Sequence, residues 1–224
     1  MKVLISWSSG KDSAWTLHVM QREQPGACAA LLTTITDTYD RVSMHGVRTS
    51  VLRAQAEAAG LPLMTVPIPA PCPNDVYEDR MRTAIAQALD DGFTHVAFGD
   101  LFLEDVRRYR EERMEGTGLQ PLFPLWGRPT AALAREMIDG GLEARLTCVD
   151  PRALSREFAG RCFDQQLLGD LPPGVDPCGE RGEFHTCVLA GPMFARRIDV
   201  HVGDTIERDG FIFTDLRNVR RATC

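Results

Sequence analysis

Val3-Leu4-Ile5-Ser6-Trp7-Ser8-Ser9-Gly10-Lys11-Asp12-Ser13 decides the reading of this chain, because it carries an apolar strand straight into a turn of small residues and then a helix. Such a turn binds anions: the first backbone N–H groups of the helix have no helical partner, the helix dipole adds partial positive charge, and serine hydroxyls supply further donors. A side chain larger than serine would hold phosphate oxygens away from that backbone. The ordinary P-loop spacing G-x-x-x-x-G-K-[ST] is not met, since Ile5 stands where its first glycine belongs and Asp12 follows Lys11.

Outward from this turn, short apolar runs alternate with amphipathic stretches, as in βα units around a parallel sheet. Strands are expected at Val3 to Trp7, Ala27 to Thr34, Leu63 to Ile68, His95 to Gly99 and Ala144 to Val149. Helices are expected at about Asp12 to Gln24, Val47 to Ala59, Asp75 to Asp91, Glu104 to Glu115 and Thr130 to Asp139. After Asp150 the alternation stops. A helix-like segment, Gly160 to Leu168, leads into the turn Leu171-Pro172-Pro173-Gly174; then come a strand at Phe184 to Leu189 and a hairpin around Asp209-Gly210. The expectation is a doubly wound, Rossmann-like α/β domain over residues 1–150, followed by a smaller β-containing lobe over residues 151–224.

At 224 residues the chain can bury a sizeable core, and its 44% hydrophobic and 25% charged content is ordinary for a globular protein. The length demands no oligomer, and a homodimer stays open. A net charge of -6 argues against a general nucleic-acid partner, and no apolar run reaches the length of a membrane span. Seven cysteines without a C-x-x-C pair, and no basic, apolar leader ahead of the first strand, point to reduced thiols in the cytoplasm. Of the 25 basic residues only Lys2 and Lys11 are lysine. Lys11 therefore marks a position suited to a compact ammonium, whereas Lys2 reads as a solvated residue at a strand start.

The Ser8-Ser9-Gly10-Lys11-Asp12-Ser13 turn resembles the S-G-G-K-D-S loop of the PP-loop ATP pyrophosphatases, with Ser9 in place of one glycine. Three further segments resemble the diphthine-ammonia ligase branch of that family. They are His45-Gly46-Val47 with Leu52 to Pro62, Phe98-Gly99-Asp100-Leu101 running on to Trp126, and Cys178-Gly179-Glu180-Arg181-Gly182-Glu183-Phe184-His185-Thr186. The branch usually has a glutamate where this chain has His185, so a carboxylate has become an imidazole.

The resemblance implies an enzyme that transfers AMP from ATP to a substrate carboxylate, releases pyrophosphate, and lets ammonia attack the activated acyl group. It assigns Ser8, Ser9, Gly10, Lys11 and Ser13 to the phosphates, with Lys11 a ligand that has little packing role; Asp12 either caps the helix or orients Lys11. His45 lies in a loop that reaches toward ATP. Gly99 and Asp100 follow a strand at the carboxyl edge of the sheet, where Asp100 suits Mg²⁺ better than Asp37 does. Glu180, Glu183 and His185 are expected to face the acceptor or ammonia, and an acid and a base on one face suit proton transfer. Cys178, His185 and Cys187 invite a zinc reading but lack a fourth ligand at the usual spacing. A tRNA-modifying PP-loop enzyme and a nucleotide-binding sensor without turnover remain as alternatives.

Overall fold

β1 (Val3–Ser6) lies at the centre of the first sheet, with Val3, Leu4 and Ile5 at most 1% exposed, as expected for a parallel strand covered on both faces. β2 (Cys28–Thr36) pairs parallel with it on one side, and β4 (Leu63–Ile68) pairs parallel with β2. β5 (His95–Ala97) pairs parallel with β1 on the other side, and β6 (Gln120–Leu122) pairs with β5. β3 (Arg41–Val42) adds a short antiparallel ribbon at the end of β2. The chain thus moves outward through β2 and β4 and then returns across β1, which makes the carboxyl end of β1 the switch point where open α/β sheets bind ligands. The computed structural model describes residues 1–219, and Cys224 lies outside the described residues.

Alternate residues of β1 serve two cores. Val3 and Ile5 join the cluster that includes Trp15 and Leu17 of α1 (Lys11–Glu23), Val51 and Leu52 of α2 (Thr49–Ala59) and Leu133 of α5 (Thr130–Asp139). Leu4 joins a smaller cluster with Ala88 of α3 (Asn74–Asp90) and Met114 of α4 (Glu104–Met114). That division follows from the two-residue period of a strand. Among the described residues no helix is long and apolar enough to cross a membrane.

The second sheet is antiparallel and contains β7 (Glu143–Val149), β8 (Phe184–Ala190), β9 (Val200–Arg208) and β10 (Phe211–Asn218), in the order β8-β7-β10-β9. Asp209 and Gly210 take positive φ values of 52° and 79°, which the tight β9–β10 turn requires. Two expectations need correction. The strand around Ala144 to Val149 exists, but it pairs antiparallel with β8 and belongs to this sheet. The helix-like stretch from Gly160 to Leu168 starts in extended chain, with Cys162 bridging to Arg145; helix α6 (Gln165–Asp170) begins only where the Asp164 carboxylate accepts the Leu167 N–H at 2.8 Å.

Asp215 on β10 fastens the two sheets together. Its carboxylate accepts from Arg41 at 2.9 Å and from Arg48 at 2.7 and 2.8 Å, both from the first domain, as well as from Arg217 at 2.9 Å. These guanidinium groups hold the Asp215 carboxyl below its ordinary range against the opposing effect of burial.

Candidate active site

The turn after β1 is shaped by the second sheet as much as by its own sequence. Ser9 sits at φ 70°, a conformation that favours glycine, and its carbonyl accepts the Val188 N–H at 2.9 Å and Gln55 Nε2 at 3.1 Å. Gly10 is required by space: a Cβ there would meet His45 Cε1 at 2.9 Å and the Thr186 carbonyl at 3.2 Å. Gly99 is required in the same way, because a Cβ would stand 2.9 Å from the Asp12 carbonyl carbon and 3.0 Å from the Ser13 nitrogen. Ser8 and Ser13 place their hydroxyl oxygens 3.2 Å apart, and Ser13 Oγ donates to the Gly10 carbonyl at 3.0 Å. Two buried oxygens of this turn, Ser9 Oγ and Asp12 Oδ1, have no hydrogen-bond partner among the described residues.

Lys11 departs from the expectation of a side chain with little packing role. It is 2% exposed, its backbone N–H donates to Thr186 Oγ1 at 3.0 Å, and its ammonium donates to Asp12 Oδ2 at 2.9 Å and to the Cys178 carbonyl. Phe163 and Phe184 present ring faces to it at 5.7 and 5.4 Å. Burial opposes its charge, but Asp12 beside it wins and the lysine pKa is raised, so the ammonium is retained. Burial also lifts the Asp12 carboxyl above its usual range against the pull of Lys11. The nearby Cys178 thiol is pushed by burial to about 12, which leaves it protonated and inert at neutral pH.

The loop from Asp176 to Glu183 closes over this lysine. Glu180 accepts the Leu101 N–H at 2.7 Å, and burial raises its carboxyl to about 7. Glu183 is buried and turned into its own loop, where its two oxygens accept the Asp176 and Arg181 N–H groups, both at 2.9 Å. The Asp176 carboxylate accepts from Cys178 N–H at 2.8 Å and from Thr130 Oγ1 at 2.6 Å. Glu183 and His185 therefore have different partners, although they are two residues apart. His185 packs against His45 with ring centroids 4.6 Å apart and ring planes tilted by 41°, and His45 Nδ1 lies 3.3 Å from the Thr186 carbonyl. Burial lowers His185 to about 4 and, with His185 beside it, lowers His45 well below the usual imidazole value. Both rings are neutral at neutral pH.

A cavity of about 480 Å³ opens at the carboxyl end of the sheet, within the range of small-molecule sites. Ser6, Ser8, Thr34, Ser43, His45 and His185 give it polar groups, Leu32, Ile68, Val96 and Phe98 give it apolar ones, and Tyr77 and Arg110 also line it. Asp100 stands at the strand end as expected, but its Oδ2 is taken by Arg110 Nε at 2.9 Å. Cys178, His185 and Cys187 do not converge; among the described residues no group of three His, Cys, Asp or Glu side chains could hold a metal. Sequence reasoning missed Gln55, fully buried on α2, which joins Trp7 Nε1, the Ser9 carbonyl and the Val188 carbonyl. It also missed Thr186, Asp176 and Arg110. An amide among the mainly apolar residues on the buried face of α2 was the available signal for Gln55.

Comparison with known proteins places this geometry in one family. Residues 1–121 match the diphthamide synthase N-terminal domain and residues 129–223 match the diphthamide synthase C-terminal domain. The chain is 27% identical over 244 residues to the diphthine-ammonia ligase of Bos taurus, covering 98% of this chain and 90% of that protein. It is 29% identical over 229 residues to that of Danio rerio, covering 92% and 89%. The Schizosaccharomyces pombe ligase is 28% identical over 225 residues, which span 92% of this chain but 37% of the longer relative. With the N-terminal domain alone matching more than half of its length, the chain belongs to the diphthamide synthase family.

Proposed function

We propose that this chain is a cytoplasmic ATP-dependent ligase that joins ammonia to a substrate carboxylate, the class of reaction named for its relatives. The observation that supports this most is the Ser8 to Ser13 turn at the β1 switch point, beside a cavity of about 480 Å³. In the first step a carboxylate oxygen attacks the α-phosphorus of ATP, and pyrophosphate leaves with the electrons of the broken P–O bond. In the second, the ammonia nitrogen attacks the acyl carbon, AMP departs, and one proton is lost from nitrogen.

Ser8, Ser9, Gly10 and Ser13 are assigned to the pyrophosphate end. Their hydroxyls and amides face charge that grows on the bridging oxygen, where fixed donors lower the barrier most. Lys11 reaches a phosphate by giving up its bonds to Asp12 and the Cys178 carbonyl. His45 and the polar wall of the cavity hold the nucleoside side, and Gly99 lets the Asp100 strand end close on the first turn of α1. Asp100 and Asp12, whose buried Oδ1 is unpartnered among the described residues, are the carboxylates that would hold Mg²⁺, an ion that takes one or two carboxylates with phosphate oxygens and water. When bound, that ion neutralises charge on the β- and γ-phosphates.

Residues 1–150 handle ATP in this reading, and the lobe over residues 151–224 supplies the ammonia side. Glu180, poised at about 7, is the group suited to take the proton released at amide formation. Neutral His185 accepts a hydrogen bond from ammonia, and Glu183 positions the loop that carries Glu180. The test is incubation of the full chain with ATP, Mg²⁺, ammonium and a pool of carboxylic acids. AMP, pyrophosphate and a new amide are the expected products. ATP binding without acid-stimulated AMP formation would overturn the proposal.

A further inference from the structure

A second compartment of about 180 Å³ lies between α3 and α4. Tyr77, Met81, Ile85, Phe98, Arg110 and Met114 line both it and the larger cavity, so the two spaces share one wall. A void of about 150 Å³ takes a benzene ring, so this one has room for a phenyl-sized group. Its lining is mainly aromatic and aliphatic, with Tyr109 at the outer rim.

Charge decides which apolar ligand suits it. Three guanidinium groups, Arg82, Arg110 and Arg113, line the compartment beside a single carboxylate, Glu78. Arg82 is paired with Asp79 and Arg113 with Glu78. Arg110 stands at the shared wall, with its guanidinium 4.6 Å from the Phe98 ring centroid, and bonds Asp100 through Nε. A guanidinium carries five N–H donors, and the terminal nitrogens present the fork that carboxylates prefer.

We propose that this compartment is the acceptor site, and that it takes a carboxylic acid with a phenyl-sized apolar body whose carboxylate pairs with Arg110. The assignment deepens the ligase reading and rests on it. It puts the acid's body between α3 and α4 and its carboxylate at the wall shared with the cavity beside Ser8, where adenylation takes place. An apolar amine offers no acceptor to the terminal nitrogens of Arg110, and a small diacid leaves the apolar walls unfilled.

The experiment measures binding of phenylbutyrate, phenylbutylamine and succinate to the full chain by calorimetry, with and without ATP and Mg²⁺. Phenylbutyrate should bind and the other two should not. Arg110→Gln should weaken phenylbutyrate by about tenfold or more, since hydrogen bonds to charged groups are worth about 1.5–3 kcal/mol. Tyr109→Ala, which touches only the smaller compartment, should also weaken it while leaving ATP affinity unchanged. Equal binding of the three probes, no binding of phenylbutyrate, or full affinity in both variants would overturn the site. Pyrophosphate release with the bound acid and ammonium reports separately on the ligase reading: binding without release leaves the site standing and removes adenylation.

Discussion

α1 and α3 flank the same parallel sheet and are packed to opposite standards. Seven of the thirteen residues of α1 are buried, including Trp15 and Leu17, whereas only Ala88 is buried among the seventeen of α3. One side of the sheet is a filled core reinforced by the second sheet, and the other leaves two adjoining cavities. The contrast teaches where rigidity is required. In the proposed reaction phosphate donors must be held in place beforehand, which a fixed α1 provides; space for a ligand body requires side chains that do not meet.

The sharpest way to break that comparison is at Lys11, which belongs to the packed side and, in the proposed reaction, to the chemistry. Lys11→Met should cut pyrophosphate release by about 10²–10³-fold. It should also lower the unfolding temperature, because Asp12 and the Cys178 carbonyl lose their partner. Normal turnover in a folded Lys11→Met protein would remove the loop from the chemistry. Next in size, Leu17→Ala should cost about 2–5 kcal/mol in urea unfolding, while Ile85→Ala, whose side chain already faces both cavities, should cost less than about 1.5 kcal/mol. Equal losses would mean that the two sides are equally packed in solution. Glu183→Gln replaces one acceptor oxygen with a donor facing a backbone N–H, and should cost about 1–3 kcal/mol of stability with ATP affinity unchanged.

The smallest effect is a slope. His185 binds its proton only near pH 4 in the folded chain but near its ordinary value when unfolded, so the unfolded state holds more protons between those values. Stability from the neutral ring is present above the ordinary imidazole pKa and is lost as pH falls toward about 4. Glu180, raised to about 7, acts in the opposite sense, with stability lost as pH rises from the ordinary glutamate range to about 7. His185→Asn should flatten the first limb of a stability-versus-pH series and Glu180→Gln the second. Unchanged limbs would show that these groups are more hydrated than their burial indicates.

The parallel sheet and the phosphate turn were legible because their signals are local: an apolar strand, small residues, a helix start, and repetition of that unit. The membership of β7 was not, since a strand buried on both faces reads the same in either sheet and its partner Thr186 lies forty residues away from Leu146. Gly160 to Leu168 misled because its apolar spacing suits a helix, whereas Asp164 caps one that starts only at Gln165. Around the proposed site, the turn that carries Ser8, Gly10 and Ser13 was legible in the sequence; the burial of Lys11 was not, because it depends on Cys178, Phe163 and Phe184. Glu183 and His185 share a strand-like spacing, but the carboxylate of Glu183 is occupied by the Asp176 and Arg181 N–H groups of its own loop, which the spacing did not reveal.

The bonds that cross from the second sheet to the phosphate turn also limit how this protein can be recombined. Val188 N–H holds the Ser9 carbonyl, Thr186 Oγ1 holds the Lys11 N–H, the Cys178 carbonyl holds the Lys11 ammonium, and Asp215 holds Arg41 and Arg48. A chimera that took residues 1–121 from one family member and the remainder from another would inherit a turn and a clamp of different ancestry. The two halves therefore behave as one heritable unit: the phosphate turn and the sheet that clamps it must change together, and one cannot be exchanged without the other.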